Sequence, residues 1–378
     1  MTIKDKLNIN RHLFYETSHS PSLFDIVGNE MIEKITDFCF IANPYYPNKE
    51  LITKLQERLP ILIKSYPSSN PTVSQKHLSN VLHIDPEYII IGNGATELIT
   101  IIQKECINNL AIPVPTFSEY TEKIRNQQQS KLFYLPAENN YQLDLNEYAQ
   151  WIIQNSISSA LVINPGNPTG QLHSLEEMFS FLHATKHLQL IIIDESFIDF
   201  AGIEIPSLLP YVHEFQNIVI VRSMSKHCGI PGLRLGYCVT ANTDLLHKIR
   251  ASIPVWNINT IAEYFLTQLY ITDEVYHEAR KQVISDVTLL YNELSQIPGF
   301  YVYPTGANFV LIRIDIGVSA GELQHMLLED YYLYVRDCSN KIGLDNYHIR
   351  VASQGKEKDA LLIHALQQIS KKYIHHVS

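Results

Sequence analysis

Short apolar runs, each closed by polar, glycine or proline residues, punctuate the middle of the chain. They are YIIIGNG (88–94), LAIPVPTF (110–117), KLFYLP (131–136), ALVINPGNP (160–168), LIIIDESF (190–197), IVIVRSMSK (218–226) and LGYCVT (235–240). Continuous runs of this length, rich in Ile, Val and Leu, predict strands buried on both faces. Helix-length segments lie between several of them, at 96–108 and 174–187. That alternation predicts an α/β fold with a mostly parallel, seven-stranded sheet covered by helices.

The predicted strands run directly into chemically loaded residues: Gly94 to Thr96, Phe117, Asn164 to Asn167, Asp194, and Ser223 to Lys226. Ligands of open α/β sheets bind beyond the carboxyl ends of the strands, so these ends predict one site. From about 245 the pattern changes to long helical stretches (262–297) followed by FYVYP, NFVLIRI, YLYVRD and YHIRVAS. The expected organisation is an N-terminal arm (1–35), a first part of a small domain (36–52), a large domain (53–244), and a smaller α+β domain (245–378).

Composition narrows the partners. Twenty-nine basic against 39 acidic residues give a net charge of −10, which argues against nucleic acid or an anionic membrane as the main partner. Five scattered cysteines without a CxxC pair read as free thiols in a reducing compartment. The first residues hold no apolar run, and no stretch of about 18 apolar residues occurs, so a cytoplasmic protein is expected. The 16 histidines show no metal-ligand spacing. Cys228, two residues after Lys226, reads as packing.

The strand ends carry what a pyridoxal 5′-phosphate site requires. Such a site needs a lysine amine for the aldehyde and a carboxylate for the pyridine nitrogen. It also needs backbone amides and hydroxyls for the phosphate, and a group to stack on the ring. NPGNPTG, DESF and SMSKHCGIPGLRLGY together resemble the motifs of fold-type I pyridoxal phosphate enzymes of the class I/II aminotransferase superfamily. The resemblance runs from about residue 35 to 352, in the family's order. It implies Lys226 as the Schiff-base lysine, Asp194 as partner of the pyridinium nitrogen, Asn167 on the phenolic oxygen, and Phe117 stacked on the ring. Ala95, Thr96, Ser223, Ser225 and Arg234 are then the phosphate grip. Tyr66 matches the tyrosine that reaches the cofactor of a neighbouring subunit, which implies a homodimer with shared sites. Arg350 matches the arginine for the substrate's α-carboxylate.

Within the superfamily the chain is similar to the branch holding histidinol-phosphate aminotransferase and threonine-phosphate decarboxylase. PTFSEY, DESFIDF, PVWNINTIAEY and VRDCSNKIGLDNYHIRVAS resemble the decarboxylases, and Phe197 stands where the aminotransferases usually carry tyrosine. Arg336 and Arg350 would supply two fixed cations, suited to a substrate with a carboxylate and a phosphate. The implied reaction is decarboxylation of O-phospho-L-threonine or O-phospho-L-serine, which in that family supplies the aminopropanol linker of cobalamin. The alternative is transamination of histidinol phosphate or a similar amine with 2-oxoglutarate. The chain also departs from the decarboxylases. RHLFYETSHSP replaces their His-Gly-Gly-Asn stretch, and neither His12 nor His19 is assigned its role. In CFIANPYYPN, Ile41 occupies the place of a phosphate-binding asparagine, while Asn43 stays in register as a substrate-site residue.

Overall fold

The computed structural model describes residues 9–16, 19–122, 130–269 and 273–374. A short strand β1 (Thr36–Asp37) precedes the seven strands of the large sheet. These are β2 (Ile89–Asn93), β3 (Leu110–Val114), β4 (Ser130–Tyr134), β5 (Ser159–Ile163), β6 (Leu190–Asp194), β7 (Ile218–Ser223) and β8 (Leu235–Val239). Their order is β2-β8-β7-β6-β5-β3-β4. Each of the seven apolar runs coincides with one strand, β4 and β5 starting one residue earlier, and β3, β6, β7 and β8 are buried along their whole length. One apolar cluster covers each face: Phe181, Ile191 and Ile193 on one side, Leu98, Ile192 and Val219 on the other.

Of the seven strands, β8 alone runs opposite to the other six. The connection 224–234 is too short for a parallel crossover, so the chain doubles back and pairs antiparallel. The consequence reaches the site. Strands β2, β3, β5, β6 and β7 all point the same way, and the amino end of β8 arrives at the edge where they leave off.

Beyond the large sheet come β9 (Phe300–Val302), β10 (Phe309–Ile314), β11 (Leu333–Tyr334), β12 (Arg336–Asp337) and β13 (His348–Ala352). Four of them form an antiparallel sheet, β12-β13-β10-β9, with its own core of Val310, Ile312, Ile349, Leu290 and Leu366. The run YLYVRD, predicted as one strand, divides at Val335: β11 pairs with β1 and β12 with β13. The predicted helical stretches over 262–297 correspond to two helices, Thr260–Leu269 and Asp273–Leu294. Among the described residues no helix is long and apolar enough to cross a membrane.

Candidate active site

A cavity of about 460 Å³ opens at the carboxyl edge of the large sheet, a volume suited to a small ligand. Lys226 reaches it from a single helical turn, Met224–His227, directly after β7. Burial, with Arg350 and Arg234 nearby, lowers the Lys226 ammonium to about 8, and Asp194 partly offsets this. Its Nζ stands 5.8 Å from the centre of the Phe197 ring.

Asp194 ends β6 and is buried. Its Oδ2 accepts from the Tyr120 hydroxyl at 2.9 Å and its Oδ1 from the Ser196 amide at 2.9 Å. Burial pushes its carboxyl upward, while these hydrogen bonds and the charge of Lys226 work the other way. Phe117 lines the same cavity, edge-on to Tyr120.

One end of the cavity is built for an anion. The helix Gly94–Cys106 starts here, and its leading residue Asn93 makes no side-chain cap, which leaves the first amides at Ala95 and Thr96 open. Arg234 extends over them: Nη2 donates to Thr96 Oγ1 at 3.4 Å and Nη1 to Ser225 Oγ at 3.4 Å. Ser223 completes the lining. Two glycines keep the backbone close. Gly94 sits at φ +74°, where a Cβ would stand 2.4 Å from Arg234 Nη2, and a Cβ on Gly236 would stand 2.4 Å from the Ala95 amide. A phosphate monoester fits this cradle in charge and in donor set.

The opposite wall belongs to the small sheet. Arg350, on β13, donates through Nη1 to Asn167 Oδ1 at 2.8 Å and through Nη2 to the Cys39 carbonyl at 2.6 Å. Its buried Nε has no hydrogen-bond partner. The Asp37 carboxylate, accepting from the amides of Cys39 and Phe40, shapes the turn that presents this carbonyl. Burial raises Asp37 to about 6. Arg336 donates to Ser20 Oγ at 2.9 Å and Asn340 Oδ1 at 2.8 Å.

Beside these arginines lies a third cation that motif reading did not single out. Lys341 is buried, donates to Ser118 Oγ, and is lowered to about 8 by burial and by Arg336. Its signal was present in CSNKIGLD, between the two arginines, but a lysine in a polar loop carries no local mark of burial. His19 also lines the cavity, with Nε2 3.0 Å from Glu119 Oε1, whereas exposed His12 does not.

Eleven of the predicted residues therefore share one cavity: Ala95, Thr96, Phe117, Asn167, Asp194, Ser223, Ser225, Lys226, Arg234, Arg336 and Arg350. Two do not. Asn43 is buried outside the lining, its Nδ2 donating to the His227 carbonyl at 3.1 Å and its Oδ1 accepting from the Tyr45 amide at 2.9 Å. It braces the lysine turn. Tyr66 is 82% exposed, with its ring 5.1 Å from Trp256, and lies off the cavity of its own chain. Ile41 is in the lining, packed with Phe197 and Phe309 as an apolar face.

The family model for aminotransferase class I and II matches residues 51–365. An L-serine phosphate decarboxylase of Sulfurospirillum multivorans is 36% identical over 371 residues, covering 94% of this chain and 93% of that protein. An L-serine phosphate decarboxylase of Campylobacter jejuni is 33% identical over 375 residues, covering 94% of each. A solved structure of a decarboxylase from Sulfurospirillum multivorans superposes with a TM-score of 0.84 at 35% identity, covering 94% of this chain and 93% of that one. The chain belongs to the class I and II aminotransferase family, whose members work with pyridoxal 5′-phosphate.

Proposed function

We propose that the protein decarboxylates an O-phosphorylated amino acid, O-phospho-L-serine in the first place and O-phospho-L-threonine as its near homologue, to an amino-alcohol phosphate. The observation that carries this reading is the cationic wall of Arg336, Lys341 and Arg350 in the cavity that holds Lys226. A substrate with a carboxylate and a phosphate needs two cationic ends. Arg350 is assigned the carboxylate, because its buried Nε has no hydrogen-bond partner. Arg336 and Lys341 are assigned the phosphate. The relatives named L-serine phosphate decarboxylases support the same substrate class.

The same reading assigns the cofactor residues. Lys226 would hold the aldehyde carbon, Asp194 the ring nitrogen, Asn167 the phenolic oxygen and Phe117 the ring face. Ala95, Thr96, Ser223, Ser225 and Arg234 would hold the cofactor phosphate. Bound there, pyridoxal 5′-phosphate supplies an electron sink for the bond aligned perpendicular to its ring.

The protein chooses that bond by fixing the carboxylate, and this task falls to Arg350, itself held by Asn167 and the Cys39 carbonyl. Lys226 Nζ, lowered to about 8, is suited to give a proton to the carbon that loses carbon dioxide. Ile41, Phe197 and Phe309 exclude water from this side. The unit acts as a homodimer in which Tyr66 of one copy reaches the phosphate end of the other. Its setting is the cytoplasm, and its large (53–244) and small (36–52, 245–378) domains meet at the site.

Phosphorus NMR of the cofactor-loaded protein with O-phosphoserine and O-phosphothreonine, without any 2-oxo acid, tests the reading. The expected result is an amino-alcohol phosphate resonance. Unchanged substrates, together with turnover of an amine once 2-oxoglutarate is added, would establish the aminotransferase instead.

A further inference from the structure

Behind Lys226, away from the cavity, lies a buried polar chain for which the proposed reaction has no use. His227, the residue after the lysine, places Nδ1 2.9 Å from the Tyr276 hydroxyl. That hydroxyl donates to Asp199 Oδ1 at 2.8 Å. Burial would raise Asp199, but Arg222, the Tyr276 hydroxyl and Arg280 hold its carboxyl below the usual range. Arg222, on β7, lies 3.6 Å from Asp199 and 3.2 Å from Glu195, the neighbour of Asp194. Arg280, one turn beyond Tyr276, donates to the carbonyls of Asp199, Gly202 and Ile203.

The proton count fixes the direction of this chain. An ionised Asp199 can only accept, so the single Tyr276 proton goes to it. Tyr276 must then accept from His227, which places the imidazole proton on Nδ1. Burial lowers His227, in keeping with a neutral ring carrying one proton. The groups facing His227 are Asp199, Arg222, Tyr276 and Cys228, and those facing Lys226 are Arg350, Arg234, Asp194 and Cys39.

Tyr276 belongs to the helix Asp273–Leu294, whose far end packs Val287, Leu290 and Leu294 into the core of the small sheet. The lysine turn is thus gripped twice. Asn43 holds its carbonyls from one side, since the Asn43 amide donates to the Lys226 carbonyl at 2.8 Å and Asn43 Nδ2 donates to that of His227. Tyr276 holds its imidazole from the other.

We propose that Tyr276, acting through His227 and Asp199, is a positioning residue that fixes Lys226 and transmits the placement of the small-sheet unit to it. The idea rests on Lys226 being the cofactor lysine, and its test separates the two. In cofactor-free protein, Lys226 is labelled with an acylating reagent across pH and read by peptide mass spectrometry. Wild type is expected to give a midpoint of about 8. Tyr276→Phe keeps the ring and removes the tie, so the turn loosens and Nζ gains water. The midpoint then rises by about half a unit or more, roughly a threefold change in free amine.

His227→Asn keeps an N–H donor toward Tyr276 and is expected to retain the wild-type midpoint, whereas His227→Ala loses it. An unchanged midpoint in folded Tyr276→Phe, with wild-type circular dichroism, overturns the proposal. So does a shift in His227→Asn as large as in His227→Ala. The cofactor role of Lys226 is read separately, as a borohydride-fixed adduct on its peptide in loaded wild type.

Discussion

Arg336 and Arg350 stand directly opposite each other in the antiparallel ladder between β12 and β13. Like charges in that relation destabilise a sheet by up to about 1 kcal/mol. Both residues are buried, so water does little to separate them. Under the proposed reading, the two anionic ends of the substrate, one at each guanidinium, would turn this repulsion into binding energy.

Inorganic phosphate and O-phosphoserine should therefore raise the melting temperature of the cofactor-free protein. Arg336→Gln should shrink that rise and increase KM for the phosphorylated substrate about tenfold to a hundredfold, the worth of one charged hydrogen bond. Differential scanning fluorimetry and steady-state kinetics measure both. An undiminished rise in the variant would remove Arg336 from the phosphate site.

Lys341 gives the site a pH limit. Its ammonium, lowered to about 8, is charged below that value and loses its proton as pH rises through it. KM for a dianionic phosphate should accordingly be flat below about pH 7.5 and climb above 8, with bound substrate moving the limb upward. Lys341→Met should raise KM at pH 7 and abolish the limb. A limb that survives in the variant belongs to another group.

Asp194→Ala should cost at least about 3 kcal/mol of barrier, a hundredfold or more in kcat. Its carboxylate is buried and oriented by donors from Tyr120 and Ser196. Rapid-quench turnover with saturating substrate reads the loss. A near-normal rate would mean that the ring nitrogen is served from elsewhere.

Tyr66 can be tested by mixing. Lys226→Ala and Tyr66→Ala are each expected to be poorly active alone. Co-refolded, they form mixed dimers in which one site keeps both its lysine and the tyrosine from the other copy. Recovered decarboxylation supports a shared site, and activity equal to the average of the parents contradicts it.

The sequence by itself determined the seven strands and the single edge they load. Each depends on neighbours in the chain: a buried strand must be apolar throughout, and its last residue stands at the sheet edge whatever packs around it. The order of the motifs then marked Lys226 and Asp194 as candidates, and both line one cavity. Tertiary structure alone decided the rest. YLYVRD divides at Val335 because its halves meet different partners, β1 and β13. Lys341 becomes a buried cation only because its loop folds against Ser118, 223 residues away. Asn43 keeps register with a substrate residue yet spends its amide on the lysine turn, and His227 finds Tyr276 49 residues on. Burial and pairing between distant segments are properties of the packed chain, and these set which polar groups reach the ligand.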